Sequence, residues 1–548
     1  MGEHRRRTPA ETEPRIVRRR ALLIAAAVVV FGAGLGLWAS GGADHPSGDS
    51  GSGTDLSSQV APSASASPSP TRSYPLSQAP RTIPAVRSHT PARGPGWRPG
   101  GGHRVVVDDP ALADEGRLLA GELGLTYAGE QADARAGDVR LALDGDEAAD
   151  PESYTLTVGA GRVLISGPGE AGVFYGTRTL KQSVADGGTA PEGVVRDAPA
   201  KPRRGFMLDI ARKPFTADWI EARVRELGDL KFNELGLHFS DDQGFRIASD
   251  THPEVVSKTH LSKAQVRDIV ALAASRHITV VPEIDSPGHL GAVLAAHPGL
   301  QLRNANGVAA TGAIDIADPA AATLVDELLD EYAGLFPGTQ WHLGGDEYRA
   351  LTVADPEASY PGLAAAARAE YGPDGTVADL ATGWLNDRAA TVRAHDRTPR
   401  AWNDGFYRNT SVAPDDDIVV AYWTGKEIGA RAPVEYLRAG RQLINYNDEF
   451  LYYVLGEPQT FVYPTGQRIY EQWSPRVLRG TGAVAARYED RILGGTFAVW
   501  CDLANSQTQD QVAAGIRLPL RATVQKLWDP ERPDLTWTEF RALADRLG

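Results

Sequence analysis

Cysteine is nearly absent from this chain, with Cys501 alone among 548 residues. That excludes an intrachain disulfide framework and any multi-cysteine zinc or iron–sulfur site, so stability has to come from packing. Basic charge is also in deficit: 56 Lys and Arg stand against 70 Asp and Glu, a formal net charge of −14, although residues 1–20 carry a local excess of seven Arg over three Glu. The rest of the chain offers no broad cationic surface, which argues against a nucleic-acid partner. What remains, with 42% hydrophobic and 23% charged residues, is the composition of a globular body too long for one ordinary domain.

One hydrophobic run is long. Arg18, Arg19 and Arg20 precede ALLIAAAVVVFGAGLGLWA, the uncharged stretch 21–39, which at about 1.5 Å per helical residue approaches the thickness of a bilayer core. Residues 21–40 read as a transmembrane signal anchor or a cleaved signal peptide, with 1–20 as a basic cytoplasmic tail and the remainder outside. Residues 41–101 are dominated by Ser, Pro, Gly, Ala and Thr and carry few large apolar side chains. They read as a disordered linker to an extracellular or cell-surface body, membrane-anchored or secreted.

Over 102–199 strand-like and helix-like patterns alternate, as in RVVVDDPAL, ADEGRLLAGELG and EAGVFYGTRTLKQSV, and predict a small α+β domain without catalytic spacing. From about 200 to 548, eight short apolar or β-branched runs recur: 204–211, 232–240, 278–285, 340–347, 398–404, 417–423, 441–447 and 494–500. Most are followed by a loop and a helical pattern, which predicts an α/β fold of the (β/α)8 TIM-barrel type. Polar and aromatic residues gather at the carboxyl end of each run, where barrel enzymes build their sites.

Asp346 and Glu347 end one such run, after two glycines, where strand alternation would send their side chains to different neighbours. Trp402, Trp423 and Trp500 close three other runs and can wall a pocket against the apolar faces of a pyranose. Asp241, Glu283 and His289 are residue types that also ligate metals, but the paired-histidine spacing of metal hydrolases is missing, so no metal or other cofactor is expected. His238 and His342 read as hydrogen-bonded structural histidines.

Taken together, these residues resemble glycoside hydrolase family 20, the β-N-acetylhexosaminidases. WHLGGDEY (341–348) is similar to that family's His-x-Gly-Gly-Asp-Glu motif, and RGFMLDIAR (204–212), LHFSDDQGFR (237–246) and PEIDSPGH (282–289) accompany it in order. The resemblance implies substrate-assisted catalysis, in which the sugar's own 2-acetamido oxygen attacks the anomeric carbon. It implies that Glu347 is general acid and then base, and that Asp346 holds the acetamide N–H and stabilises an oxazolinium-like intermediate, with retention of the β configuration. It also implies that Arg204 grips the 3- and 4-hydroxyls of a terminal sugar, which would make the enzyme exo-acting. Asp241 and His289 would support Glu347, and Trp402, Trp423 and Trp500 would enclose the sugar. Tyr452, or else Tyr446 or Tyr453, would reach the acetamide carbonyl.

Where many relatives carry Trp-x-Glu, this chain has Trp500-Cys501-Asp502, a shorter acid for the 4- or 6-hydroxyl. The implied partners are glycans or chitin oligomers ending in β-linked GlcNAc or GalNAc. The segment INYNDEFLYYVLG is similar to branches that include lacto-N-biosidases, so release of a disaccharide is an alternative activity. A non-catalytic surface glycan-binding protein is the alternative class.

Overall fold

The computed structural model describes residues 73–548 apart from 131–132, 146–148, 427–429 and 532–533. The basic tail, the apolar run and the linker as far as residue 72 lie outside the described residues. No helix among the described residues is long and apolar enough to cross a membrane.

Eight parallel strands form the barrel: β1 (Arg203–Asp209), β2 (Glu234–Asp241), β3 (Thr279–Ile284), β4 (Gln340–His342), β5 (Thr398–Trp402), β6 (Val419–Tyr422), β7 (Leu443–Asn445) and β8 (Ile492–Trp500). Each pairs with the next, and β8 pairs with β1 from Gly494↔Arg203 to Val499↔Leu208, which closes the ring. Each lies within or against one of the eight apolar runs. Strands of a parallel barrel are buried on both faces, by side chains inside and helices outside, so their sequence is continuously apolar instead of alternating. β1 shows this, with every residue after Arg203 buried. Helices Lys263–Ala274, Gln509–Trp528 and Trp537–Leu547 begin with Ser or Thr capping boxes closed by Gln265, Gln511 and Glu539. These boxes satisfy otherwise orphaned amide N–H groups and fix where each helix starts.

The preceding domain is a seven-stranded mixed sheet, in the order 89–91, 193–197, 154–159, 162–167, 139–143, 104–107, 126–130, with helices Ala113–Leu123 and Glu170–Gly187 packed on it. Its outermost strand corrects the linker expectation: residues 73–101 belong to the folded body. His89–Pro91 pairs with Gly193–Val195, Trp97 is buried, and Gln182 bonds both backbone polar groups of Ile83 at 2.7 and 2.9 Å. A Ser- and Pro-rich composition is compatible with order when a few anchors such as Ile83 and Trp97 are buried.

The two domains are joined by buried cations, and one of them corrects a second expectation. Arg204 is the second residue of β1, at the amino end of the barrel, about 17 Å down the strand from Asp209 at roughly 3.3 Å per residue. Its fully buried guanidinium makes a two-pronged bond to Glu152 at 2.8 Å on each side and donates to the carbonyls of Lys201 and Lys231. Arg204 therefore cannot touch a sugar at the opposite face. The arginine at the carboxyl end of the same segment is Arg212. Beside Arg204, buried Lys231 donates to Tyr154 and Thr179 and lies 4.4 Å over the ring of Trp528; burial pulls it down to about 8. Trp528 ends the helix after β8, packs into the small domain's core and donates to Asp197 at 3.0 Å.

Glu152→Gln preserves shape but leaves the Arg204 charge buried without a counter-ion, a loss of about 3–5 kcal/mol. Burial would raise the Glu152 carboxyl, but Arg204 outweighs it and holds it below its usual range. A depressed folded value stabilises above the unfolded pKa, so the gap between wild type and variant should be full above about pH 4.3 and close at lower pH. Thermal melts across pH check this, with KM for an aryl glycoside expected to stay unchanged. A KM shift without a melting shift would return Arg204 to the sugar site.

Candidate active site

β4 is short and ends at His342, and Leu343–Glu347 leave it as irregular chain. Gly344 and Gly345 take φ of +70° and +99°, and Glu347 takes +48°. A Cβ on Gly344 would fall 1.7 Å from Asp285 Oδ1, the atom that accepts the Gly345 N–H at 2.8 Å. Glycine is required there on space as well as on conformation. The Glu347 N–H donates to Asp404 Oδ2 at 3.0 Å, which holds a left-handed residue that costs about 1–3 kcal/mol. The two acids diverge through this turn and not through the strand alternation expected from sequence. The Asp346 side chain is 13% exposed and that of Glu347 48%.

His289 stands between them. Its Nε2 lies 3.6 Å from both Asp346 Oδ2 and Glu347 Oε2, and its Nδ1 faces Asp241 Oδ1 at 3.4 Å. Burial would lower the imidazole pKa, but the Asp346 and Asp241 carboxylates outweigh burial and hold it well above its usual value, which favours the imidazolium. The His289 ring 3.6 Å away draws Glu347 below the usual range against the effect of burial. Asp285 goes the other way: burial and the Asp346 charge push it well up, so it keeps its proton and leaves Asp346 as the acceptor. Asp346 Oδ1 is buried and has no hydrogen-bond partner among the described residues.

Beneath these groups the barrel interior continues as a polar layer. Asp241 accepts from His238 at 2.7 Å and pairs with Arg212 at 2.8 Å. Glu283 accepts the Trp402 indole N–H at 2.8 Å and faces His238 and His342. Burial opposes charge here too, yet Glu283 and Asp241 push His238 up to about 10, and the histidines hold Glu283 down at about 2.

Above the acids opens a cleft of about 270 Å³ walled by Trp423, Tyr452, Phe461 and Trp500 and edged by Arg212 and Asp502. The rings of Trp423 and Tyr452 are parallel within 4° and 5.8 Å apart. The Trp423 N–H is fixed on Asp404 Oδ1 at 2.8 Å, and burial with the Asp346 charge pushes Asp404 up to about 8. Arg212 lies over Trp500 at 5.2 Å and 3.8 Å from Asp502.

The structure thus brings Asp346, Glu347, His289, Trp423, Tyr452, Trp500 and Asp502 to one cleft. Asp241 and Trp402 stand behind it: Asp241 reaches it only through His289 and Arg212, and Trp402, 1% exposed, backs Trp500 at 5.9 Å. Arg204 is not part of it. Among the three tyrosines, Tyr452 lines the cleft from a short strand paired to the end of β8. Tyr446 packs under Trp402, and Tyr453 turns outward to Gln507. Sequence reasoning missed the placing roles of Arg212, Asp285 and Asp404, although each ends a strand run and so carried the signal.

The model for glycosyl hydrolase family 20, catalytic domain, matches residues 202–528, and that for the family's domain 2 matches 79–198. A lacto-N-biosidase of Bifidobacterium bifidum is 30% identical over 476 residues, covering 86% of this chain and 42% of that protein. A beta-N-acetylhexosaminidase of Cellulomonas fimi is 33% identical over 272 residues, 44% of this chain and 54% of that one, so the chain matches less than two thirds of either relative's length. A Streptomyces plicatus beta-hexosaminidase variant, solved with the product GlcNAc, superposes with a TM-score of 0.66 at 26% identity, covering 87% of this chain and 95% of that one. With both domains matched in the same order, the chain belongs to glycosyl hydrolase family 20.

Proposed function

We propose that this chain is an exo-acting, retaining β-N-acetylhexosaminidase that removes terminal non-reducing β-GlcNAc, or GalNAc, by substrate-assisted catalysis. The observation that carries the proposal is the division of labour between adjacent acids. Asp346 offers a buried, unpartnered acceptor oxygen, and half-exposed Glu347 lies against an imidazolium at the same cleft.

In the first step the acetamide oxygen forms a bond to the anomeric carbon as the glycosidic bond breaks, and Glu347 gives its proton to the leaving oxygen. Asp346 accepts the acetamide N–H and stabilises the positive charge that develops on it. The step runs from the enzyme in which Glu347 carries a proton, and the His289 imidazolium, which keeps its own, stabilises the carboxylate left behind. Glu347 then takes a proton from water, whose oxygen bonds the anomeric carbon while the oxazolinium ring opens. Two inversions at one carbon give net retention. Trp423, Tyr452 and Trp500 exclude water around the acetamide, and Arg212 with Asp502 takes ring hydroxyls at the cleft edge. The apolar run at 21–39 supports an extracellular or cell-surface location, anchored or secreted.

A second reading, release of a disaccharide, is favoured by the 30% identity to a lacto-N-biosidase over 86% of this chain. Aryl β-GlcNAc, aryl β-glucoside and aryl β-lacto-N-bioside assayed side by side separate the two. Hydrolysis of the first alone is expected; hydrolysis of the third alone would establish the second reading, and silence on all three would reject both.

Asp346→Asn should lower kcat by about 10²–10³-fold, the cost of one misplaced transition-state partner, with a smaller change in KM. A near-normal kcat would show that the acetamide is held elsewhere. Glu347→Gln should abolish turnover of alkyl and sugar aglycones while a dinitrophenyl glycoside, which needs no proton, still reacts. Equal loss on both leaving-group types would reject Glu347 as the acid.

A further inference from the structure

Away from the cleft, two loops on the carboxyl side of the barrel bring three donor groups together. His252 and Glu254 flank the start of a short turn (Pro253–Val255) after β2, and His297 ends the helix Gly291–Ala296 that follows β3. Glu254 Oε1 lies 2.9 Å from His252 Nδ1 and 3.0 Å from His297 Nε2, and the three donor atoms all lie within 4.8 Å of one another. On its far side, His252 Nε2 meets Glu327 Oε2 at 2.9 Å, from the helix Pro319–Ala333.

Two ring nitrogens from different segments face the same carboxylate oxygen, so a single cation between them would find three donors. Two imidazole nitrogens and one carboxylate oxygen form a zinc-type donor set with a position left for water. The outer nitrogen of His252 on Glu327 reproduces the carboxylate that orients a metal-bound histidine. At metal bonds of about 2.0–2.1 Å, tetrahedral donors sit about 3.3 Å apart, so the two Glu254 contacts need open by only a few tenths of an ångström, while the two histidine nitrogens, within 4.8 Å of each other, settle on the same spacing as the ion binds.

We propose that His252, Glu254 and His297 bind a zinc-like divalent cation, with Glu327 orienting His252. The ion ties the loop after β2 to the helix after β3. That helix begins at Gly291, whose N–H is held by Asp242 at 2.9 Å, two residues beyond His289. The site therefore braces the segment that presents His289 without touching the catalytic acids, and its occupancy is independent of the proposed reaction.

The test uses the full chain, stripped with EDTA and titrated calorimetrically with zinc chloride. One equivalent is expected to bind and to raise the melting temperature. Glu254→Gln, which keeps the side-chain shape, and His297→Ala should each weaken binding at least tenfold while the metal-free proteins melt as wild type does. Asp346→Asn should leave zinc binding unchanged, because the Asp285–His289–Asp346 group belongs to the catalytic cleft. Absence of zinc uptake, binding that survives both Glu254→Gln and His297→Ala, or binding lost in Asp346→Asn would each overturn the proposal.

Discussion

Carboxylates on neighbouring residues repel, and in a nearly dry site that repulsion is large enough to force one of them to keep a proton. Asp346 and Glu347 face this constraint with Asp285 and Asp404 packed around them. The imidazolium of His289 supplies compensating charge to both acids at equal distance. Burial and the Asp346 charge push both Asp285 and Asp404 up, so the acids around the pair take up the surplus protons. Everything else at the carboxyl face follows from keeping that cation in place: Asp241 holds its far nitrogen, and Arg212 and His238 hold Asp241.

The polar interior of the barrel therefore serves as a rigid support. Glu283 is bonded by Trp402 and faced by two histidines, so the ring behind Trp500 is fixed by charge as well as by packing. An enzyme that stabilises a transient cation through a preset acceptor gains most when the acceptor does not reorganise. The glycine pair of the β4 turn and the Asp404 bond to Glu347 do the same for the backbone.

The barrel was legible because strands buried on both faces leave unbroken apolar runs, and the acids because they close one such run after two glycines, in a motif that resembles the family's. The failures have physical causes too. Arg204 and Arg212 open and close one motif; chain direction puts Arg212 at the mouth, and it was the match to the motif, not the strand order, that put Arg204 on the sugar. Residues 73–101 look disordered in composition, because a polar, proline-rich strand can be held by two buried anchors. Which tyrosine faces the cleft depends on the register of a three-residue strand beside β8, which alternation alone does not fix.

Trp528 closes the last long barrel helix yet belongs to the other domain's core, and Arg204 ties the first barrel strand to the same place. The small domain is thus not a detachable cassette. Its boundary in sequence, near residue 200, is not a boundary in free energy, so the two halves are expected to melt as one cooperative unit. Exchange of parts between relatives would preserve this protein only if both domains moved together with the closing helix Trp537–Leu547, whose Phe540 and Leu543 lie in the barrel's core and whose Arg546 bonds Asp186 of the small domain.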